Sequence, residues 1–304
     1  MIAEVVTPAN NGVFDWCPRI DTDQCPTVRQ PIYDYRTAVA SAECRPGRCH
    51  PGRLSPHPEP VPSCADSSSV FVTGSVLRVD LELGGHVVLV VGGTGLIGRA
   101  IVARLRAEGA TAIAGSRHAA DGITLDAQDP DSVTAALDGV LEQHGRLDSI
   151  VVAAAPSAHT LDASRHADPE QVLHAIDAKA MSFLRLANAA LPIMSRAGYG
   201  RIVGVSGQHA FLTGNVTGSV RNAALIIAAK NRADAVAGSG VTVNTVNPGT
   251  VSDTPATEVE IGRGGESSPE QIADLVAFLV SPRAAGISGE SIAVGHRVRG
   301  VTSM

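Results

Sequence analysis

The sequence has no excess of positive charge and no long apolar run. Its 304 residues carry a formal net charge of -6, so it offers no positive field for a nucleic acid backbone or an anionic membrane surface. No apolar stretch approaches the roughly 20 residues that a bilayer-spanning helix needs. Residues 1–12 lack the basic start and apolar block of a secretory signal. We therefore expect a cytoplasmic protein that has neither a nucleic acid nor a membrane as partner.

Cysteine is absent from most of the chain. The five cysteines are an odd number, contain no CxxC pair and all lie within the first 64 residues, which argues against a disulfide framework. They are Cys17, Cys25, Cys44, Cys49 and Cys64. Cys44, Cys49 and His50 resemble zinc ligands only loosely, because structural zinc sites usually bring two closely spaced pairs. No metal site is predicted.

The N-terminal part of the chain differs in composition from the rest. Residues 1–69 are rich in Pro, Arg, Ser and Cys, and they show neither helical nor strand periodicity. Such a segment buries too little apolar surface to offset the entropy of ordering. We assign residues 1–80 to a low-complexity extension, either disordered or an upstream stretch outside the native reading frame. Residues 81–304 form one folded domain in this prediction.

From residue 86 onward, apolar strands alternate with helical patterns. The predicted strands are 86–91, 111–114, 123–125, 149–153, 201–205, 241–246 and 291–294. Between them, helices are indicated by apolar residues at helical spacing and by an aspartate or serine followed by proline at Asp129, Asp168 and Ser268. This alternation predicts an α/β fold with a doubly wound, seven-stranded parallel sheet, which is a Rossmann fold.

A glycine-rich turn follows the first predicted strand directly and opens a helix. Backbone N–H groups and the positive end of the helix can approach a pyrophosphate there, because no side chains block the way. The residues predicted to contact the cofactor in this turn are Gly92, Thr94, Gly95, Leu96, Ile97 and Gly98. The alternative is a tight turn that binds no ligand.

The residues after the second and third strands bear on which nucleotide is bound. Ser116 and Arg117 stand where an NAD-selective protein would place an acid, and Arg117 could pair with a 2′-phosphate. NADP(H) is therefore favoured over NAD(H), with a merely solvated arginine as the alternative. Asp126, followed by Ala127, is suited to accept a hydrogen bond from the adenine amino group, or else it caps a turn.

The chain from His86 to about Val298 resembles the short-chain dehydrogenase/reductase family. The matching segments are 92–98, 125–126, 189–192, 200–203, 243–249, 269–279 and 289–294. The resemblance implies hydride transfer to or from a carbonyl or alcohol carbon of a small molecule, and assembly as a homodimer or homotetramer. It also implies cofactor contacts for Ala154, in the segment after the fourth strand, and for Pro248, Gly249 and Val251 after the sixth.

The sequence departs from the family pattern at the catalytic positions. The family uses a tyrosine as proton donor and a lysine four residues later that lowers its pKa, with a serine that polarises the carbonyl and an asparagine that anchors a water relay. Gly218 stands at the tyrosine position and Asn222 at the lysine position. Asp177 stands at the relay position, with Lys179 two residues on. Only the serine is retained, as Ser206.

Four residues are therefore the catalytic candidates, each with a simpler alternative. Ser206 polarises a carbonyl or caps a turn, and His209 replaces the lost phenol as proton donor or is an ordinary loop histidine. Asp177 takes part in the relay, or it pairs with Lys179 or faces solvent. Asn222 can hydrogen-bond a ribose hydroxyl, but it cannot depress a pKa.

Two functions follow from this combination of retained and lost residues. The first is an NADP(H)-dependent oxidoreductase that uses Ser206 and an unconventional acid. The second is a catalytically silent dinucleotide-binding protein that acts as a redox sensor or partner subunit. A fold and a cofactor site do not by themselves imply chemistry.

Overall fold

The structure is a computed structural model that describes residues 79–155 and 160–302. Of the extension predicted at 1–80, the structure describes only residues 79 and 80. The five cysteines and Pro156 also lie outside the described residues. No helix within the described ranges is both long enough and apolar enough to cross a membrane.

Seven strands form one sheet in the order β3-β2-β1-β4-β5-β6-β7, and every neighbouring pair is parallel. They are β1 Val87–Val91, β2 Thr111–Ser116, β3 Ile123–Thr124, β4 Ser149–Val152, β5 Gly200–Val205, β6 Val241–Pro248 and β7 Ser291–Val294. The predicted Rossmann fold is confirmed. The strand order reverses between β1 and β4, which is where ligands bind in open sheets of this kind.

In the part of the chain that the structure describes, six α-helices cover the sheet. They are α1 Leu96–Ala107, α2 Pro130–His144, α3 Pro169–Ile176, α4 Ser182–Ala197, α5 Val216–Ala235 and α6 Pro269–Val280. A π-helical turn, Asp177–Met181, joins α3 to α4. The predicted caps of α2, α3 and α6 are confirmed, since the side chains of Asp129, Asp168 and Ser268 each accept a backbone N–H hydrogen bond.

The core lies in two layers, one on each face of the sheet. Alternate residues of a strand point to opposite faces, so Leu89 packs with the residues of α2, α4 and α5 while Val88 packs with those of α1 and α6. Both side chains are fully buried. Burial on both faces explains why the strands are continuous apolar runs. Because all the strands are parallel, the carboxyl ends of β1 to β6 lie at one edge of the sheet.

Helix α5 begins at Val216, directly after Asn215. The side chain of Asn215 accepts a hydrogen bond from the Gly218 N–H at 2.8 Å, so this asparagine is the N-cap. An asparagine cap satisfies an N–H that has no partner within the helix. The cap also fixes the first turn of α5, which carries Gly218 and leads to Asn222.

Candidate functional site

The glycine-rich turn is closed by its own backbone and has no room for side chains at three positions. Gly92 has φ +82°, and a methyl group on it would lie 2.7 Å from the Ala154 nitrogen. A methyl on Gly98 would lie 2.1 Å from the Gly92 oxygen, and one on Gly93 would lie 2.8 Å from Ala114. Bare backbone is therefore a structural requirement here, and it also leaves an open approach to the start of α1.

The first turn of α1 has no side-chain partner for its free N–H groups. Gly95 is the N-cap residue and makes no side-chain capping bond, and the turn contains no acidic residue. Thr94, Gly95 and Leu96 are exposed. Such an N-terminus carries partial positive charge and attracts an anion. The end of β4 lies against this turn through Ala154, as the clash distance at Gly92 shows.

A polar pocket lies between α1 and the segment after β2. The Ser116 hydroxyl is buried and has no hydrogen-bond partner among the described residues, while Arg117 is exposed. The adjoining cavity, of about 430 Å³, is lined on one side by Thr94 and Arg99 and on the other by His118 and Asp121. Arg99 and His118 thus add two basic groups that the sequence did not single out, although Arg99 lies only one helical turn after Gly95.

Asp126 makes local contacts after β3. Its carboxylate accepts a hydrogen bond from the Gln128 N–H at 3.0 Å, and its own N–H donates to the Ser132 hydroxyl at 3.0 Å. These bonds form a turn of the kind that aspartate favours. Ala127 is buried beside it. Adenine contact at Asp126 stays a prediction.

Ser206 lies buried at the end of β5 and contacts α5. Its hydroxyl donates to the Asn222 carbonyl oxygen at 2.9 Å, and the Asn222 amide donates to the Gly218 oxygen at 2.8 Å. The Asn222 side-chain oxygen is buried without a hydrogen-bond partner in the described part of the chain. The structure therefore brings Ser206 and Asn222 together.

The π turn brings Lys179, and not Asp177, to the Ser206 loop. The Lys179 ammonium is 6% exposed and donates to the Ser206 carbonyl oxygen at 3.0 Å. The Asp177 carboxylate instead pairs with Arg185 at 2.7 Å and accepts from the Gln128 amide at 2.8 Å. Those two contacts lower the pKa of Asp177, with the Arg185 hydrogen bond as the larger cause. Asp177 therefore does not pair with Lys179, and the Lys179 side chain does not face solvent.

Positively charged side chains from other elements surround the loop after β5. Arg221 is buried and His209 is exposed. Partial burial of the His209 ring, and then the positive charges of Arg221, Arg263 and Lys179, lower its pKa below the ordinary 6.5. Burial likewise lowers the pKa of Arg221. Since the imidazole is mainly neutral at pH 7, it holds few protons to donate there.

The turn after β6 is held against the loop that follows it. A methyl on Gly249 would lie 2.2 Å from the Gly265 oxygen, and Val251 forms a parallel bridge to Ser267. Pro248 is buried as the last residue of β6. The Gln208 amide ties the Ser206 loop to this region by donating to the carbonyl oxygens of Val294 and His296 at 3.2 and 3.0 Å.

These features together fit a dinucleotide better than a metal ion. No group of three or more His, Cys, Asp or Glu side chains suited to a metal occurs among residues 79–155 and 160–302. Two buried polar atoms, the Ser116 hydroxyl and the Asn222 amide oxygen, need partners that a ligand can supply. They lie at the end of β2 and on α5, and the bare glycine turn after β1 supplies a place for an anionic group.

Known proteins are similar to this chain in sequence and fold. Residues 93–296 match the family model described as enoyl-(acyl carrier protein) reductase. The 3-oxoacyl-[acyl-carrier-protein] reductase FabG of Vibrio cholerae is 30% identical over 247 residues, which are 70% of this chain and 97% of that protein. The FabG of Escherichia coli is 30% identical over 243 residues, 69% of this chain and 96% of the relative. The solved aldohexose dehydrogenase of Thermoplasma acidophilum has a TM-score of 0.61 and 27% identity, covering 74% of this chain and 99% of that one.

Proposed function

Because the chain belongs to the short-chain dehydrogenase/reductase family, we propose that it is an NADP(H)-dependent oxidoreductase that reduces the carbonyl group of a small molecule. The observation that carries the proposal is the bare glycine turn at the uncapped start of α1. This turn follows β1 next to the point where the strand order reverses. A bound nicotinamide nucleotide would supply the hydride, and every other part of the chemistry falls to the chain's own residues.

The preference for NADP(H) over NAD(H) rests on charge after β2. No acidic residue directly follows that strand to accept from a ribose 2′-hydroxyl, whereas Arg117 does directly follow it. The partnerless Ser116 hydroxyl and the nearby side chains of Arg99 and His118 would add donors for a 2′-phosphate. Asp121 lines the same cavity, and its carboxylate is the one local feature that opposes an anion.

The residues proposed to hold and polarise the substrate surround β5. In this proposal the Ser206 hydroxyl turns from the Asn222 oxygen to donate to the substrate carbonyl, and the Asn222 amide oxygen accepts from a ribose hydroxyl. Pro248, Gly249 and Val251 face the nicotinamide, and their loop covers the substrate. Two relatives that are 30% identical are named as 3-oxoacyl reductases, so a 3-oxoacyl thioester is the first substrate to test.

Calorimetry and turnover measured on the same sample test the proposal. We expect heat of binding with NADPH, and loss of nicotinamide absorbance when acetoacetyl-coenzyme A or one member of a panel of ketones, aldehydes and quinones is added. Absence of heat with both NADPH and NADH on folded protein would refute the cofactor site. Binding of NADPH without turnover of any substrate would favour the silent dinucleotide-binding protein, to which the glycine at position 218 already points.

An arginine pair tests the nucleotide preference. Arg117→Ala should weaken NADPH binding by on the order of tenfold or more, the effect of losing one charge-assisted contact, and should leave NADH binding nearly unchanged. Arg196→Ala is the matched control, because Arg196 is an exposed arginine near the end of α4. Equal losses for both nucleotides would contradict a role for Arg117 at the 2′-phosphate.

We further propose a homodimer or homotetramer that works in the cytoplasm. Val216, Val220 and Ile227 recur at helical spacing on α5 and are 43%, 38% and 62% exposed, and Leu173 on α3 is 67% exposed. Exposed apolar residues clustered along one helix are typical of a face that pairs with another chain. Ile227→Glu should lower the molar mass measured by light scattering, and an unchanged mass would exclude this face.

A further inference from the structure

The site lacks the tyrosine of its family but contains a buried amine. Lys179 belongs to the π turn Asp177–Met181, is 6% exposed, and donates to the Ser206 carbonyl oxygen at 3.0 Å. An ammonium group has three protons to donate, and within the described ranges this one makes a single hydrogen bond. A buried ammonium with protons to spare needs a further acceptor.

The charged groups that act on Lys179 among the described residues are positive. Within the described residues, no carboxylate lies within ion-pair distance of its nitrogen. The carboxylate of Asp177, on the same turn, points to Arg185. From α5, the positive charge of Arg221 lowers the pKa of Lys179. On the loop after β5, the charges of Arg221 and Lys179 both lower the pKa of His209. A bound group that develops negative charge would be stabilised at this position.

Other groups at the Ser206 loop cannot serve as the acid at neutral pH. The Ser206 hydroxyl and the Asn222 amide hold their protons too tightly, and the Arg221 guanidinium is not deprotonated in proteins. His209 is mainly neutral, as argued above. Gly218 places no side chain on the turn of α5 whose carbonyl oxygen binds the Asn222 amide, so among the described residues no phenol occupies the family's tyrosine position.

We propose that Lys179 is the proton donor that replaces the missing tyrosine, an inference that rests on the oxidoreductase function proposed above. The carbonyl carbon accepts a hydride from the reduced nicotinamide, and the C=O π electrons move to the oxygen. That oxygen takes a proton from the Lys179 nitrogen, whose N–H electron pair stays behind on a neutral amine. The products are an alcohol, the oxidised nicotinamide and the amine, which regains a proton from water before the next turnover.

Burial, as the main cause, and the charge of Arg221 lower the pKa of Lys179 from 10.5 to about 7. A group with a pKa near the working pH both holds a proton and releases it readily, which is the property a general acid needs. An exposed lysine would hold its proton too tightly to serve.

The chain contains only two lysines, Lys179 and Lys230, so the amine can be observed directly. In the full-length protein labelled with 15N-lysine, one side-chain signal should titrate near pH 7 and should disappear in Lys179→Met. Lys230→Met, which removes an exposed lysine on the far part of α5, identifies the other signal. A Lys179 signal that titrates only above pH 9 would overturn the proposal.

Two substitutions then separate proton donation from charge alone. Lys179→Met should lower kcat for the best substrate of the panel by on the order of 100-fold or more, with NADPH affinity changed less than about threefold. Lys179→Arg keeps the charge but cannot release a proton at neutral pH, so it should be nearly as slow. The kcat of the unmodified protein should fall above pH 7, as should that of Lys230→Met.

The outcomes distinguish this inference from the function on which it rests. Active Lys179→Arg, or a kcat that stays flat from pH 6 to 9 in the unmodified protein, would overturn the donor role and leave the oxidoreductase intact. An unmodified protein that binds NADPH but turns over no substrate would overturn both. The lysine titration and the pH profile of the unmodified protein remain decisive if either variant folds poorly.

Discussion

Replacing Lys179 by methionine should make the protein more stable, and by an amount that depends on pH. The folded protein holds this lysine with a pKa of about 7, against an ordinary value of 10.5 in an unfolded chain. Between these values the unfolded chain binds a proton that the folded chain has lost, so the free energy of unfolding rises with pH. Below pH 7 both states are charged, and the full cost of burying the charge is present.

The magnitude follows from the two pKa values. One pKa unit corresponds to about 1.4 kcal/mol, so the buried charge costs about 4 kcal/mol at pH 7 and about 1.4 kcal/mol at pH 9.5. Methionine has a similar length and no charge, but it leaves the Ser206 oxygen without its donor, which costs about 1 kcal/mol. Lys179→Met should therefore gain about 3 kcal/mol at pH 7 and almost nothing at pH 9.5.

Urea unfolding, followed by far-UV circular dichroism at one protein concentration, measures this difference. The range from pH 7 to 9.5 keeps His209 neutral throughout, so that its altered surroundings in the variant add nothing. Lys230→Met is the control, because Lys230 is exposed and pairs with Asp234 on the helix surface. It should stay within about 0.5 kcal/mol of the unmodified protein. A gain for Lys179→Met that does not change with pH would refute the reasoning.

Further predictions concern the turn, an ion pair and a cap. Gly98→Ala should cost about 2 kcal/mol or more and abolish NADPH binding, because its methyl would clash with a backbone oxygen 2.1 Å away, whereas Gly139→Ala in the open interior of α2 should raise the unfolding temperature. Asp177→Asn should lower the free energy of unfolding at pH 7, because it removes the ion pair with Arg185. That contact lowers the pKa of Asp177 below 3.8, so the difference in unfolding free energy, measured by urea titration, should disappear once the pH falls through that lowered value. Ser268→Ala should cost about 1 kcal/mol in the same assay, since it removes the capping box of α6. Unchanged stability in Gly98→Ala or Ser268→Ala would contradict the packing or the cap described here.

The parts of the fold that follow local rules could be predicted from the sequence. Continuous apolar runs predicted the seven strands, because the strands of a parallel sheet are buried on both faces. Aspartate or serine before proline marked the starts of α2, α3 and α6, since those side chains satisfy N–H groups that a helix leaves free. Family membership was predicted correctly from several separated motifs, and the matched region from residue 93 to 296 spans them.

The composition of the site could not be predicted in the same way. The π turn Asp177–Met181 contains both Asp177 and Lys179 and adds a residue to one turn of helix, so the spacing of an ordinary α-helix does not show which of the two side chains reaches the Ser206 loop. Sequence spacing therefore put Asp177 at the relay position, while the structure brings Lys179 to Ser206. No local pattern signals that turn. Similarly, Arg99 and His118 come together only because α1 packs beside the segment after β2.

The two departures from the family pattern are linked through one loop. Asn222 stands where a lysine is expected on α5, and Lys179 stands near the place of the expected asparagine between α3 and α4. Lys179 donates to the carbonyl oxygen of Ser206, and the Ser206 hydroxyl donates to the main-chain carbonyl oxygen of Asn222. The site has therefore kept an amine beside the retained serine, although the π turn between α3 and α4 carries it and α5 does not. Because a cation acts by its position and not by its place in a motif, loss of the lysine from α5 is not by itself an argument that the protein is silent. The missing tyrosine has the larger consequence for catalysis, and in our proposal Lys179 donates the proton in its place.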